Sequence, residues 1–201
     1  MKSRTWRPPP RPQCNNTNDT DGGNGAVSAA LIFNGMMDSR ITEAPVVLMC
    51  GISGSGKTYF SHLLERQGYR RLSADCLAWE IYGAEFAGYA PVRQREALAC
   101  CNRRLDELLR EALAAGERVV VDSTLCKRPR RDALRRLCAE AGVKPALVYL
   151  DCDLALLRSR MAGRKGLGPD DQIVPDSRLE MFYANFERPG DDENPIIITG
   201  Q

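Results

Sequence analysis

From position 45 onward, short uninterrupted apolar runs alternate with longer stretches in which apolar residues recur every three or four positions. VVLMC, residues 46–50, has strand length and breaks into a glycine-rich loop. KTYFSHLLERQG follows, with Phe60, Leu63 and Leu64 at helical spacing and Gly68 as its stop. YRRLSAD reads as a second strand closing at Asp75, and CLAWEIYGAEFAGYA as a short helix with a loop. Residues 92–115 predict a long helix whose apolar stripe is Leu98, Cys101, Leu105, Leu108 and Ala112. ERVVVDST is apolar enough for a strand buried on both faces. The next helix has Pro129 in its first turn, Ala133, Leu134, Leu137 and Cys138 on its core face, and Gly142 past its end. KPALVYLDCD is another buried strand, and Asp153 caps a helix carrying Leu154, Leu157 and Met161 to a stop at Gly163. Beyond the polar GRKGLGPDDQ come a helix with Leu179, Phe182, Tyr183 and Phe186, and PIIIT as the last strand. Strands separated by helices predict an open parallel sheet, an α/β fold of the doubly wound type.

Residues 1–44 differ in texture. RPPPRPQCNNTNDTDGGNG has almost no large apolar residues to offset the entropy of ordering, so 1–44 is expected to be a disordered tail ahead of a single domain at 45–201. Met36 and Met37 stand just ahead of the first core strand, which suggests translation starting there and an upstream gene-model extension. The formal charge of +2 over 201 residues is spread rather than blocked, so a dedicated nucleic-acid binder is not favoured. No apolar run reaches a membrane span and the N-terminus lacks a secretory h-region, which points to the cytoplasm and away from a membrane partner. The eight cysteines show no metal-ligand spacing and are expected to be small buried hydrophobes. The lone histidine, His62, is given a structural or surface role.

The glycine loop carries the chemistry. Gly51-Ile52-Ser53-Gly54-Ser55-Gly56-Lys57-Thr58 satisfies G-x-x-x-x-G-K-[ST] between a strand and a helix. Glycines let backbone N–H groups face phosphate oxygens, and the helix adds its positive end. Lys57 would reach the β- and γ-phosphates and Thr58 would ligate magnesium; the donor-binding set is Gly51, Ser53, Gly54, Ser55, Gly56, Lys57, Thr58 and Tyr59. Asp122 closes a buried strand, where it is either a magnesium-organising acid or a cap. Asp75 is either a base for an attacking hydroxyl or the N-cap of a helix starting near Cys76. Arg158, Arg160, Arg164 and Lys165 straddle a helix end and a glycine-rich segment suited to a lid; Arg160 and Arg164, four apart, are favoured over Arg158. The basic run KRPRRDALRR is read as a charged helix face.

The succession of glycine loop, aspartate after the next strand, VVVDST, arginine-bearing lid and MFYANFERP resembles predicted P-loop kinases related to phage-type polynucleotide 5′-hydroxyl kinase and, more distantly, zeta toxin, within the AAA-type P-loop NTPases. The resemblance covers residues 45–199 and implies a three-layer fold, a five-stranded parallel sheet ordered 2-3-1-4-5, a helical lid, and ATP with magnesium as donor. By position it implies that Asp75 is the general base and that Arg160 and Arg164 contact the donor phosphates and the transition state. Polynucleotide kinases place an arginine three residues after the aspartate, where this chain has Ala78. Trp79, Tyr82, Phe86 and Tyr89 follow, either as a stacking surface for an acceptor or as core. The expectation is an ATP-dependent kinase acting on a hydroxyl of a small-molecule or nucleoside-like acceptor, with catalytic residues Lys57, Asp75, Arg160 and Arg164 and metal ligands Thr58 and Asp122. The alternatives are a polynucleotide 5′-hydroxyl kinase and a nucleotide-dependent switch; against a switch, the chain lacks the N-K-x-D guanine-reading motif.

Overall fold

The computed structural model describes residues 38–83, 86 and 88–200. The tail reading for residues 1–37 and the start at Met36 or Met37 fall outside them. The domain was expected to begin at residue 45, but residues 38–44 already belong to it. Helix α1, Ser39–Thr42, is capped by the Asp38 carboxylate, and Ile41 and Ala44 are buried. The Tyr69 hydroxyl lies 2.8 Å from the carbonyls of both Ile41 and Ala44. Composition averaged over 44 residues hides two apolar side chains at its end.

The chain continues as β1 Val46–Cys50, α2 Lys57–Arg66, β2 Arg70–Ser73, α3 Ala74–Tyr82, α4 Pro91–Ala114, β3 Val119–Asp122, α5 Arg128–Glu140, β4 Ala146–Asp151, α6 Leu154–Ala162, α7 Asp176–Ala184 and β5 Ile196–Thr199. Short 3-10 turns occupy Pro169–Asp171 and Asp191–Glu193. The strands form one all-parallel sheet in the order β2-β3-β1-β4-β5, the order the resemblance implied. Every β1 side chain is fully buried, which explains the run without polar alternation. On one face Val46, Leu48 and Cys50 meet Val119 and Val121 of β3, Leu105 and Leu109 of α4, and Leu134 and Cys138 of α5. Burying a leucine in such a layer is worth about 1.5–3 kcal/mol. Register sets Met49 beside Asp122 and Ser73 beside Asp122, so the carboxyl ends of β1, β2 and β3 open on one crevice.

Two helix faces differ from the sequence reading. The buried stripe of α4 is Ala97, Cys101, Leu105, Leu109 and Ala112, whereas Leu98 is exposed and Leu108 only partly buried. Two apolar seams one residue apart share three positions here, and contact with the sheet selects between them. The α5 face is charged as expected except at Arg131, which is 1% exposed and donates to the Glu193 carboxylate at 2.6 and 2.7 Å. It also donates to the carbonyls of Leu125 and Glu187, fastening α5 to the chain that leads into β5. Among the described residues no helix is long and apolar enough to cross a membrane.

Candidate active site

The loop between β1 and α2 turns on glycines whose φ angles side chains resist: +151° at Gly51, +87° at Gly54 and +102° at Gly56. A Cβ on Gly51 would lie 2.6 Å from Ser55 Oγ and 2.9 Å from the Leu150 carbonyl, so the loop has no room for one. Helix α2 starts at Lys57 with no side-chain cap, leaving its first amides to the concavity of the loop. Among the described residues Ser55 Oγ is buried without a hydrogen-bond partner, a donor suited to an anion held there. The Lys57 ammonium curls back to the Ile52 carbonyl at 2.9 Å. Burial pulls its pKa below the ordinary lysine range, Asp122 and Asp75 pull it back, and Arg164 adds to the lowering. These features fit a polyphosphate. Ser53 and Thr58 are partly buried beside it, and Tyr59, 45% exposed, sits on the outer side of the helix start.

Asp75 occupies the first turn of α3 rather than the end of β2. The cap of that helix is Ser73, whose Oγ accepts the Cys76 amide at 3.2 Å, so the capping alternative for Asp75 does not hold. Asp75 presents its own surface to solvent yet is ringed by the crevice walls. That surrounding protein pushes its carboxyl above the ordinary carboxylate range; Lys57 and Arg164 oppose the shift, and Asp122 and Asp170 reinforce it. Asp122 does not cap a helix either. It is buried at the end of β3, and its Oδ2 accepts Nε and Nη2 of Arg71 at 2.9 and 2.6 Å.

The three arginines make different contacts. Arg158 pairs with Asp176 at 2.7 Å and with Glu180, both on α7. Arg160, in the last turn of α6, reaches the Gly54 and Ser55 carbonyls at 3.4 and 3.3 Å. Arg164, one turn on, donates to the Gln172 carbonyl at 3.1 Å, close enough for its charge to act on Lys57 and Asp75. Loop, Lys57, Asp75, Asp122, Arg160 and Arg164 therefore share one crevice. The aromatics pack on one another: Tyr82, Phe86 and Tyr89 have pairwise ring centroids 6.0–6.1 Å apart, and Phe86 is buried. For Phe86 the core reading is the one the packing favours. Arg71 and Asp170, which complete the polar rim, escaped the sequence reading. The available signal was an arginine at the side-chain parity of Ser73 inside a short strand of a parallel sheet, where apolar residues are the rule.

The family model described as "AAA domain" (AAA_33) matches residues 46–189. The chain belongs to this family. As an AAA-domain protein it shares its fold with P-loop kinases of known structure. A sugar kinase from Janibacter sp. HTCC2649 superposes with a TM-score of 0.60 at 25% identity, over 77% of this chain and 84% of that one. A gluconokinase from Sinorhizobium meliloti 1021 gives 0.55 at 24% identity, over 77% and 82%. The APS kinase of Mycobacterium tuberculosis, solved with AMPPNP and APS, gives 0.54 at 22% identity, over 77% and 87%. No curated protein matches the sequence. This AAA-domain chain thus falls within the P-loop kinase group.

Proposed function

We propose that the protein transfers the γ-phosphoryl group of ATP to a hydroxyl of a small molecule of sugar-like or nucleoside-like character. The observation that carries this reading is Asp75, a carboxylate freed from capping and set in the same crevice as Lys57, where each feels the other's charge. The acceptor oxygen bonds the γ-phosphorus while its proton passes to an Asp75 carboxylate oxygen, and the bond to the bridging oxygen breaks to release ADP. Lys57 and the uncapped backbone amides at the start of α2 neutralise the phosphate oxygens, and Arg160 and Arg164 approach from the α6 side. Thr58 and Asp122 would hold magnesium, which would supply further neutralisation of the polyphosphate. A carboxyl held above its ordinary range is a better proton acceptor than an unperturbed one. The likeness to a sugar kinase at 25% identity supports a polyhydroxylated acceptor.

The test is incubation with γ-labelled ATP and magnesium against sugars, nucleosides, aminoglycosides and 5′-hydroxyl oligonucleotides. A labelled small molecule supports the reading. Label on oligonucleotides alone would convert it to polynucleotide 5′-kinase activity, which Ala78 disfavours. Nucleotide binding with no labelled acceptor and a nucleotide-dependent protein partner would favour a switch.

A further inference from the structure

We infer that Asp170 is a positioning residue that latches the segment 163–175, between α6 and α7, across the crevice, and that Arg71 ties this latch to Asp122. The segment is organised locally: Asp171 Oδ2 accepts the Lys165 and Leu167 amides at 3.0 and 3.2 Å, and the Gly166 amide donates to the Asp171 carbonyl at 3.1 Å. It therefore behaves as one closed loop. Leu167 and Ile173 are 81% and 55% exposed, and Val174 at the far end packs, partly buried, against the cluster of Ile52, Leu157 and Met161. The polar anchor near the segment's middle is Asp170. Arg71 donates Nη2 to Asp170 Oδ1 at 2.5 Å and Nη1 to Oδ2 at 3.1 Å, and His62 Nε2 lies 3.3 Å from the same Oδ2.

These contacts join three separate elements, α2, β2 and the segment, and the Arg71 side chain is only 7% exposed. A buried guanidinium resists losing a partner, because uncompensated charge in that position is costly. The same guanidinium holds Asp122, so docking of the segment and placement of the strand-end acid are coupled through one side chain. The docked segment carries Arg164, whose charge then acts on Lys57 and Asp75. The role of Arg164 rests on the phosphoryl-transfer reading; the latch itself does not.

The charged groups facing His62 are Asp170 from the segment, Glu65 from its own helix at 2.6 Å, and Arg71 from β2. Hydrogen bonding to Asp170, against burial, raises the His62 pKa, with Glu65 adding to the rise and Arg71 opposing it. The protonated ring donates to Asp170, so the latch is strongest below the ordinary histidine pKa and weakens as pH rises through the raised value.

The experiment is limited trypsin digestion of the full chain without ATP or acceptor, following cleavage after Arg164 and Lys165 by mass spectrometry against a reference bond elsewhere in the chain. Asp170→Asn is expected to speed cleavage in the segment about tenfold or more relative to the reference, as loss of a charge-assisted bidentate contact should. His62→Gln, at a half-exposed position that tolerates exchange, is expected to speed it severalfold and to flatten the pH dependence of protection. An unchanged melting temperature for either variant separates loss of the latch from unfolding. Wild-type protection in Asp170→Asn, or the same pH course in His62→Gln, overturns the inference. Because no phosphate is transferred in the assay, its failure is distinct from failure of the kinase reading.

Discussion

Ser73 caps helix α3 and thereby leaves Asp75, two residues on, without a structural hydrogen bond to make at the helix start. In a short helix that opens at the mouth of the crevice, the residue that fits a cap and the residue that fits a base are separate. Asp75→Asn is expected to keep nucleotide affinity within about twofold and to lower kcat by about 10²–10⁴, measured by nucleotide titration and steady-state turnover. Near-normal turnover would remove Asp75 from the chemistry.

The pH profile checks the same assignment independently. As the proposed base Asp75 acts in its ionised form, and its pKa is raised, chiefly by the protein around it. Activity should therefore fall, as pH is lowered, at a higher pH than the ordinary aspartate value of about 3.9 would give. In Asp75→Asn that limb should be absent from the residual rate.

At the phosphate loop, Lys57→Ala should reduce turnover by at least about 10²–10³. Gly51→Ala adds a Cβ where the backbone has φ +151° and the Leu150 carbonyl would lie at 2.9 Å. It should weaken nucleotide binding about tenfold or more, since the loop has to shift to admit it. Steady-state turnover reads Lys57→Ala and isothermal titration with a non-hydrolysable ATP analogue reads Gly51→Ala, where unaltered affinity would mean that the loop does not hold the phosphates.

Arg158 and Arg160 make a matched pair for comparison. Arg158→Ala breaks exposed ion pairs to α7 and should change kcat/KM by less than about twofold. Arg160→Ala removes the guanidinium beside the Gly54 and Ser55 carbonyls and should lower kcat/KM by about tenfold or more. The reverse order would exchange their roles.

Away from the crevice, Arg131 and Glu193 form an ion pair with both side chains at most 1% exposed. Arg131→Met leaves the buried Glu193 carboxylate to the Gly190 amide at 3.1 Å and the Arg135 guanidinium at 3.7 Å, and takes a donor from the Leu125 and Glu187 carbonyls. The expected loss is about 3–5 kcal/mol, a fall of roughly 10 °C in melting temperature. A melting temperature within about 2 °C of the wild type would show that the pair adds nothing to stability.

The sequence by itself determined the alternation of strand and helix, the glycine loop and the placement of Lys57 and Thr58, because these are local: apolar runs, helical spacing and contiguous residues define them. The seam of α4 was legible only to within one residue, since Leu108 and Leu109 are equally apolar and only contact with the sheet separates them. Asp75 and Asp122 were each visible as chemistry-bearing residues with two readings apiece. Tertiary structure removed the capping reading of each, by supplying Ser73 as the cap of α3 and Arg71 as the partner of Asp122. Arg71, Asp170 and His62 lie 9 to 108 positions apart in the chain and gain meaning only where β2, α2 and the segment before α7 converge. A pairing of opposite charges leaves no periodic trace in a sequence, because any of many arginines and aspartates would satisfy it until the fold brings these together.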